Sequence, residues 1–234
     1  MVFVFELTLP QPVLETVFYY FGMVPARYTH PDWAVLMGLP FDDYWPFITS
    51  MFLHGGWLHI IGNMWTLWIF GDNVEDRMGT LRFLVFYFIC GLAAGLVHFF
   101  TNPNSTLPTV GASGAIAGVL GAYFLLFPTA RVITLIPIFF FPLFVELPAI
   151  TYLGFWILSQ IFSGALSLGL PEDVGGVAFW AHVGGFITGA LLHWLFVKRR
   201  EDVRSLSPDE WGLEAAWRPL EYANFNSWRN KRWV

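Results

Sequence analysis

Five apolar stretches, separated by short polar segments, run through most of the chain. A helix needs about 20 mainly apolar residues to cross the hydrocarbon core of a bilayer. The pattern therefore predicts five transmembrane helices, at residues 57–74, 81–100, 111–127, 143–168 and 175–197. Residues 132–142 are apolar as well, but Pro137 and Pro142 interrupt them, which favours an interfacial or re-entrant connection over another span.

The amino-terminal region carries shorter apolar segments. Residues 1–7 are too few to span a bilayer, and residues 9–25 fit an interfacial helix with aromatic side chains against lipid. We expect the chain to begin inside what should be a first transmembrane helix. The pattern as a whole predicts an all-α polytopic membrane protein with five full transmembrane helices and a remnant of a first.

The composition agrees with a membrane protein. Hydrophobic residues make up 56% of the 234 positions and charged residues only 12%, whereas soluble domains contain roughly 25% charged residues. The 25 Phe and 12 Trp suit lipid contact and interfacial belts. No basic patch with interleaved aromatic residues indicates nucleic-acid binding, and the single Cys90 excludes a disulfide framework.

Lys and Arg are concentrated in alternate connections between the predicted spans. They follow the first, third and fifth full spans, as Arg77, Arg82, Arg131, Lys198, Arg199, Arg200 and Arg204. The opposite loops, residues 101–110 and 167–176, contain none. The positive-inside rule therefore predicts that residues 101–110 lie outside, and that a membrane domain at 1–200 is followed by a cytoplasmic polar tail at 201–234. The expected location is the cell (inner) membrane, crossed several times.

Four polar side chains fall at similar depth within the predicted spans. Ser113 begins one span at its outer end, His182 lies near the outer end of the last, and His59 and Asn63 lie near the outer end of the first. Polar groups in a membrane are costly and are read as functional by default. Serine and histidine can act as a nucleophile and its base. The common depth predicts an active site that opens to the extracytoplasmic side.

The spacing of these residues also fits this chemistry. His59 and Asn63 are four residues apart and share a helix face. Ser113 at a helix amino terminus has backbone N–H groups suited to a developing oxyanion. Glycine allows close approach of a substrate backbone at 111 and 114, and small residues let two membrane helices pack backbone to backbone. The glycines expected to support the site by close helix packing are Gly111, Gly114, Gly118, Gly185 and Gly189.

Each of these features also has a purely structural explanation. The Gly-Ala-Ser-Gly sequence at 111–114 is by itself equally typical of a helix-packing motif. Asn63 could join helices through hydrogen bonds, and we assign that role to His98 and His193. No HExxH motif occurs and carboxylates are absent from the outer halves of the spans, so neither a metal nor another cofactor is expected. The joint arrangement, rather than any single motif, favours an active site.

Three segments carry a resemblance to a known family. They are HGGWLHIIGN, with His59 and Asn63, GASGAIAG, with Ser113, and AHVGGFITG, with His182. In this order and spacing they resemble a bacterial rhomboid-family intramembrane serine protease, over about residues 1–200. The resemblance implies a rhomboid-like bundle of six helices around a water-filled cavity that is open to the outer side.

The resemblance also implies roles for individual residues. Ser113 and His182 would form a catalytic dyad without an acid. The backbone N–H of Ser113, together with His59 and Asn63, would form the oxyanion hole. The implied activity is that of an endopeptidase that cleaves transmembrane segments of membrane-protein substrates, with lipid as the other partner.

The chain departs from the family pattern at three places. We expect the first helix of the six-helix core to be nearly absent. Many members carry Trp-Arg in the outer loop, where this chain has Trp45-Pro46. Ala117 stands where some members carry a tyrosine that stacks on the histidine, so the imidazole must be held otherwise, and packing on Gly114 and Gly118 is the expected alternative.

Residues 75–77 match a structured cytoplasmic loop of the family.

Three other functions compete with that of a protease. A catalytically inactive rhomboid-like protein that binds membrane clients would normally lack Ser113 or His182, and both are present. A transporter or channel predicts ionisable residues through the midplane or two related halves, and neither is visible. A structural scaffold gives no reason for polar residues to cluster at one depth.

Overall fold

The computed structural model describes residues 1–138, 141–169 and 177–198. Within these ranges the chain forms ten α-helices, one 3₁₀ turn and two β-strands. They are α1 (Val2–Glu6), α2 (Gln11–Phe21), α3 (Ala26–Thr29), α4 (Pro31–Leu36), α5 (Pro46–Thr49), the 3₁₀ turn Ser50–Phe52, α6 (Trp57–Met78), α7 (Thr80–Thr101), α8 (Ser113–Leu126), β1 (Arg131–Ile138), β2 (Phe141–Pro148), α9 (Ala149–Ser167) and α10 (Phe179–Phe196). The predicted polar tail, residues 201–234, lies outside the described residues.

The five predicted spans correspond to α6 through α10. Among the described residues, α7, α9 and α10 are long and apolar enough to cross a membrane. The 22-residue α6 ends in charged residues, and α8 has only 14 residues. Outward-facing side chains of α9 are large and apolar, among them Phe155, Leu158 and Phe162, as expected for a surface in lipid. The protein is a helical membrane bundle, as the sequence predicts.

Boundaries of three spans differ from the prediction by four residues or more, and the fifth span begins at Phe179 rather than at residue 175. The first full span does not end at residue 74, because α6 continues to Met78. Glu75 and Arg77 therefore lie in its last turns rather than in a loop, and the Arg77 guanidinium lies 5.8 Å from the centre of the Phe127 ring, just after α8. The fourth span begins at Ala149 rather than at residue 143, since the residues before it form a strand.

An antiparallel β-hairpin replaces the predicted interfacial or re-entrant connection. β1 and β2 pair from Arg131 opposite Pro148 to Ile138 opposite Phe141. Prolines in this segment cannot donate backbone hydrogen bonds and break a helix, whereas the β-branched and aromatic residues around them favour strands. An exposed ion pair of 2.7 Å between Arg131 and Glu146 joins the two strands.

Helix α8 occupies the centre of the bundle. Nine consecutive residues, from Ala115 to Tyr123, are buried, as expected for a helix that is apolar on every side. A side chain at Gly185 would collide with the carbonyl oxygen of Gly114, and one at Gly189 would collide with that of Gly118. The backbones of α8 and α10 are therefore in direct contact, which is the arrangement that small residues allow between membrane helices.

The segment before α6 is organised by a buried arginine. The guanidinium of Arg27 donates to the carbonyl oxygens of Pro40 and Tyr20 and forms a 2.8 Å ion pair with Asp43. Arg27 thus ties together the loop that carries Trp45-Pro46 in place of the family's Trp-Arg. Paired backbone hydrogen bonds between Met23 and Thr109 join this segment to the loop after α7.

The short helix α1 packs against the loop that precedes α6. Phe3 is buried, and its ring makes an edge contact with Trp57 at a centroid distance of 5.0 Å. The Glu6 carboxylate accepts a hydrogen bond of 3.3 Å from the backbone N–H of His54. The predicted interfacial helix within 9–25 is present as α2, which buries none of its residues.

We predict that Gly189→Ala destabilises the protein by about 1–3 kcal/mol, the usual cost of forcing extra atoms into a packed core. The added methyl group would meet the backbone of α8, which cannot move aside as a side chain can. Thermal unfolding in detergent measures the effect.

Gly154→Ala in α9 is the matched control, because its new methyl group would meet only a Phe124 ring atom at 3.9 Å. It should leave stability unchanged or raise it by up to about 1 kcal/mol through helix propensity. Equal melting temperatures for the two variants would contradict the direct backbone contact.

Candidate active site

Ser113 lies inside the end of the bundle at which α6 and α10 begin and α7 ends. Gly114 is packed against Ala94, which is seven residues before the end of α7 at Thr101. At about 1.5 Å per residue, this places the start of α8 about 10 Å inside the carboxyl end of α7. The loop after α7 therefore turns back into the bundle, and a backbone hydrogen bond of 2.8 Å from Gly111 to Ser50 fixes its end.

The first turn of α10 brings a histidine to this serine. His182 Nε2 lies 2.8 Å from Ser113 Oγ, although the two residues are 69 positions apart in the chain. The contact follows from the helix crossing, since Gly185, one turn after His182, touches the backbone of Gly114. The two predicted dyad residues are thus within hydrogen-bond distance.

Two residues of α9 hold the other side of the imidazole. His182 Nδ1 lies 2.8 Å from Gln160 Oε1, and the Trp156 ring lies 5.8 Å from the imidazole centre at an angle of 36°. The expected packing on Gly114 and Gly118 is wrong, because these glycines face Ala94 and Cys90 of α7 and the backbone of α10.

Sequence reasoning missed this pair of residues. A signal was available, since Trp156 and Gln160 are four residues apart and share one helix face. Gln160 is also an amide within an apolar span, where a polar side chain needs a partner.

His59 presents a hydrogen-bond donor toward the loop before Ser113. The backbone N–H of Gly55 donates to His59 Nδ1 at 3.3 Å. A neutral imidazole that accepts at Nδ1 carries its proton on Nε2. That Nε2 faces Gly111, where an added Cβ would lie only 2.5 Å from it. His59 therefore directs an N–H toward the backbone two residues before the serine.

Asn63 supplies a second donor at the same place. Its side chain is buried, and its Nδ2 has no hydrogen-bond partner among the described residues. The same Nδ2 lies 3.5 Å from the position that a Cβ on Gly111 would occupy. Buried donors without partners are rare in folded proteins. Here two donors converge beside Gly111, and both are available to an incoming oxygen.

Gly111 supports the site rather than a helix interface. It lies in the loop before α8 with φ +123°, a backbone conformation that residues with side chains rarely adopt. Its missing side chain leaves the space that His59 occupies. The prediction that Gly111 packs helices together is therefore wrong, whereas Gly114, Gly118, Gly185 and Gly189 do lie between helices.

The four predicted site residues line one cavity of about 1010 Å³. Ser113 and His182 lie on its wall together with His59, Asn63 and Trp156. No Asp, Glu, Lys or Arg occurs among the described residues that line it. The cavity wall is therefore polar without Asp, Glu, Lys or Arg, and its hydrogen-bonding side chains come from all five long helices and from the segments before α6 and after α7.

Two other histidines make structural hydrogen bonds. His98 Nε2 lies 2.9 Å from the hydroxyl of Thr109, and its Nδ1 lies 3.2 Å from the amide nitrogen of Asn102. These contacts hold the loop after α7 against its own helix. His193 Nδ1 lies 2.7 Å from the carbonyl oxygen of Ala190 in the same helix.

His54 is buried next to the site without forming a hydrogen bond of normal geometry through its ring. Neither ring nitrogen has a hydrogen-bond partner of normal geometry among the described residues, although the backbone of Phe52 is near enough to oppose part of the pKa shift. The ring makes an edge contact with His59 at 5.2 Å. Burial, and secondarily the nearby His59, lower the pKa of His54 below its usual 6.5. Its ring is thus neutral in the folded protein at neutral pH.

We predict that His54→Phe stabilises the protein, because an unpaired buried polar group costs about 1–3 kcal/mol and the phenyl ring keeps the ring contacts. The lowered pKa means that the unfolded chain binds protons more readily than the folded one. The parent therefore loses stability as the pH falls below about 6.5, where the unfolded chain begins to take up this proton. The variant should show a higher melting temperature and a smaller decrease on acidification.

His30→Phe is the control, since His30 is exposed. It should leave the melting temperature close to that of the parent. A His54→Phe variant that is less stable than the parent at pH 6 would show that the ring nitrogens of His54 make a stabilising contact.

Comparison with known proteins places this site in a described domain. A family model for the Rhomboid domain matches residues 42–199, which include every site residue named above. Rhomboid protein 1, mitochondrial, from Saccharomyces cerevisiae is 31% identical over 161 residues, which are 67% of this chain and 43% of that protein. RHOMBOID-like protein 4 from Arabidopsis thaliana is 31% identical over 159 residues, 68% of this chain and 35% of that protein.

A third similar protein is bacterial. Rhomboid protease GluP from Bacillus subtilis is 39% identical over 80 residues, which are 34% of this chain and 15% of that protein. The chain spans less than half the length of each of these three curated relatives.

Proposed function

The chain belongs to the rhomboid family, and we propose from this membership and from its site that it is an intramembrane serine endopeptidase. The observation that carries the proposal is the 2.8 Å distance between Ser113 Oγ and His182 Nε2 on the wall of a cavity within a membrane bundle. One of the similar proteins is named as a rhomboid protease. The proposed substrates are the transmembrane segments of other membrane proteins.

The proposed reaction begins with proton transfer from Ser113 to His182. A serine hydroxyl is a weak nucleophile until an adjacent base takes its proton, and Nε2 of His182 is within reach. Oγ then attacks the scissile carbonyl carbon, and the protonated imidazole returns its proton to the leaving amine. Water hydrolyses the resulting ester of Ser113 and releases the second product.

The two free donors beside Gly111 support a role for His59 and Asn63 in this reaction. The tetrahedral intermediate places negative charge on the former carbonyl oxygen, and donors already aimed at that position stabilise the transition state. His59 Nε2–H and Asn63 Nδ2–H are available on the serine's side of the cavity. The backbone N–H of Ser113 at the start of α8 is the third proposed donor.

The cavity accounts for the water that hydrolysis requires. The hydrocarbon core of a bilayer contains almost no water. A volume of about 1010 Å³ has room for tens of water molecules at about 30 Å³ each. A substrate helix must also unwind locally before its carbonyl group can reach Ser113, because its backbone hydrogen bonds are satisfied within the helix. We therefore propose substrates whose transmembrane segment contains a helix-weakening residue.

The distribution of charge supports an orientation in which the cavity opens to the extracytoplasmic side. Ser113 and His182 lie at the starts of α8 and α10, and α6 begins at this same end of the bundle. Arg77, Arg82 and Arg131 lie at the other end, which the positive-inside rule assigns to the cytoplasm. We propose the cell (inner) membrane as the location of the protein, in this orientation.

We predict that a fluorophosphonate probe labels Ser113 covalently, because the probe reacts with a serine that a base activates. Ser113→Ala should abolish labelling, and His182→Ala should remove nearly all of it while the protein remains folded. Mass spectrometry of the labelled peptide identifies the site. Ser159 and Ser167 are internal controls, since their hydroxyls donate to helix carbonyl oxygens and have no base beside them.

A folded parent protein that takes up no probe and leaves a model transmembrane substrate intact would favour the client-binding alternative. Labelling that persists in His182→Ala would instead remove His182 from the role of base.

We predict that His59→Ala and Asn63→Ala slow cleavage of a model transmembrane substrate in liposomes without loss of folding. Loss of one oxyanion donor costs roughly 10²–10³ in turnover, and we expect less for Asn63→Ala because two donors remain. Thr66→Val is the matched control on the same helix, since its hydroxyl donates to the carbonyl oxygen of Gly62. Cleavage at the parent rate by a folded alanine variant would show that the residue takes no part in the reaction.

A further inference from the structure

A continuous chain of hydrogen bonds runs from the serine into α9. It passes from Ser113 Oγ to His182 Nε2 at 2.8 Å, and from His182 Nδ1 to Gln160 Oε1 at 2.8 Å. It continues from Gln160 Nε2 to Ser159 Oγ at 3.0 Å, and from Ser159 Oγ to the carbonyl oxygen of Trp156 at 2.6 Å. The dyad is therefore linked to the backbone of a third helix.

The last bond of this hydrogen-bond series fixes which group donates and which accepts in all the others. The carbonyl oxygen of Trp156 can only accept, so Ser159 must use its single proton there. The Ser159 oxygen then accepts from the Gln160 amide NH₂, which leaves the Gln160 carbonyl oxygen facing His182. Since that oxygen can only accept, His182 carries its proton on Nδ1. Nε2 is left unprotonated, as a base for Ser113 must be.

We infer that Gln160 is a positioning residue that selects the Nδ1–H tautomer of His182 and holds its ring toward Ser113, and this inference rests on the proposed function. In serine hydrolases with a Ser-His-Asp triad, a carboxylate selects the tautomer and orients the imidazole. A carboxylate in a membrane helix is costly. The Gln160 amide accepts the same hydrogen bond without charge, which agrees with the uncharged wall of the cavity.

The position of Gln160 separates this role from substrate contact. Trp156 and Ser163, one turn away on either side, line the cavity, whereas Gln160 is not among the residues that line it. Its amide is occupied by His182 on one side and by Ser159 on the other. Gln160 therefore acts on the reaction through the imidazole.

A second hydrogen bond between the same two helices provides a matched control. Trp180 Nε1 of α10 donates to the carbonyl oxygen of Gly164 of α9 at 3.1 Å. If the bond of Gln160 only joined α9 to α10, Trp180→Phe and Gln160→Leu would have similar effects. If Gln160 orients the base, only Gln160→Leu changes the reactivity of the serine.

The test measures the rate constant of fluorophosphonate labelling as a function of pH for the parent, Gln160→Leu, Gln160→Glu and Trp180→Phe. Gln160→Leu should react roughly 10- to 100-fold more slowly, within the roughly 10²–10⁴ that a general base contributes. Trp180→Phe should react within about twofold of the parent, because this variant leaves the general base in place. Melting temperatures of all four proteins show whether the variants are equally folded.

Gln160→Glu gives a readout that a structural tie does not produce. A carboxylate beside Nδ1–H stabilises the protonated imidazole, so the acid limb of the rate profile should move to higher pH. The other titratable groups near His182 are His59 of α6 and His98 of α7, and both are unchanged in every variant. This variant carries the test if Gln160→Leu does not fold.

Nitrogen NMR of histidine-labelled protein tests the tautomer without any need for activity. His182 should be in the Nδ1–H form in the parent and should become a mixture in Gln160→Leu, while His59 stays in the Nε2–H form. An unlabelled Ser113 with an Nδ1–H His182 would refute the proposed function but leave the positioning contact intact. Four outcomes would each overturn the inference. Two concern labelling rates: a parent-like rate for Gln160→Leu, or an equal loss of rate in Trp180→Phe. The others are an acid limb that does not move in Gln160→Glu and a His182 in the Nε2–H form in the parent.

Discussion

The backbones of α8 and α10 touch without side chains between them, and the position of the site follows from this contact. Gly114 and Gly118 on one helix meet Gly185 and Gly189 on the other. At such a close approach, the first turn of α10 lies beside the first residue of α8. A serine side chain is short, and only this separation lets it reach an imidazole on a neighbouring helix at 2.8 Å. Any larger residue at these crossings would move the two groups apart.

The membrane environment explains which polar groups are paired. Arg27 satisfies its guanidinium with two carbonyl oxygens and Asp43, and His98 satisfies both ring nitrogens with Thr109 and Asn102. Such pairing is what low-dielectric surroundings demand. Asn63 Nδ2 is left without a partner beside the serine. This unpaired donor lines the cavity in which the proposed reaction would supply an oxygen with growing negative charge.

Helix α9 has an unusual position among the helices of the bundle. It is long and largely exposed to lipid, and it buries only Ala149, Leu153 and Gly164. Yet its Trp156 and Gln160 make the contacts that hold His182 on the side away from the serine. The geometry of the dyad therefore depends on three helices rather than two. This arrangement takes the place of the stacking tyrosine that Ala117 cannot provide.

The sequence alone indicated the helical membrane class and the family. Helix lengths and apolar composition identify spans because the bilayer imposes one length scale on all of them. The sequence also placed Ser113, His182, His59 and Asn63 at one depth, because the depth of a residue follows from how many residues separate it from the end of its span. Those local patterns did not predict the hairpin at 131–148, where prolines end helical structure in a stretch that is still apolar.

The sequence did not predict how each helix is rotated about its own axis. Ser113 and His182 are 69 residues apart, and Gln160 is 22 from His182, so no local spacing relates them. Which face of α9 meets α10 is decided by packing among all the helices at once. The sequence therefore determined the membrane environment, the family and the depth of the polar residues, because each depends on composition along one segment. The tertiary structure decided that Gln160 holds the imidazole and that Gly111 makes room for His59, because those contacts depend on how separate segments pack.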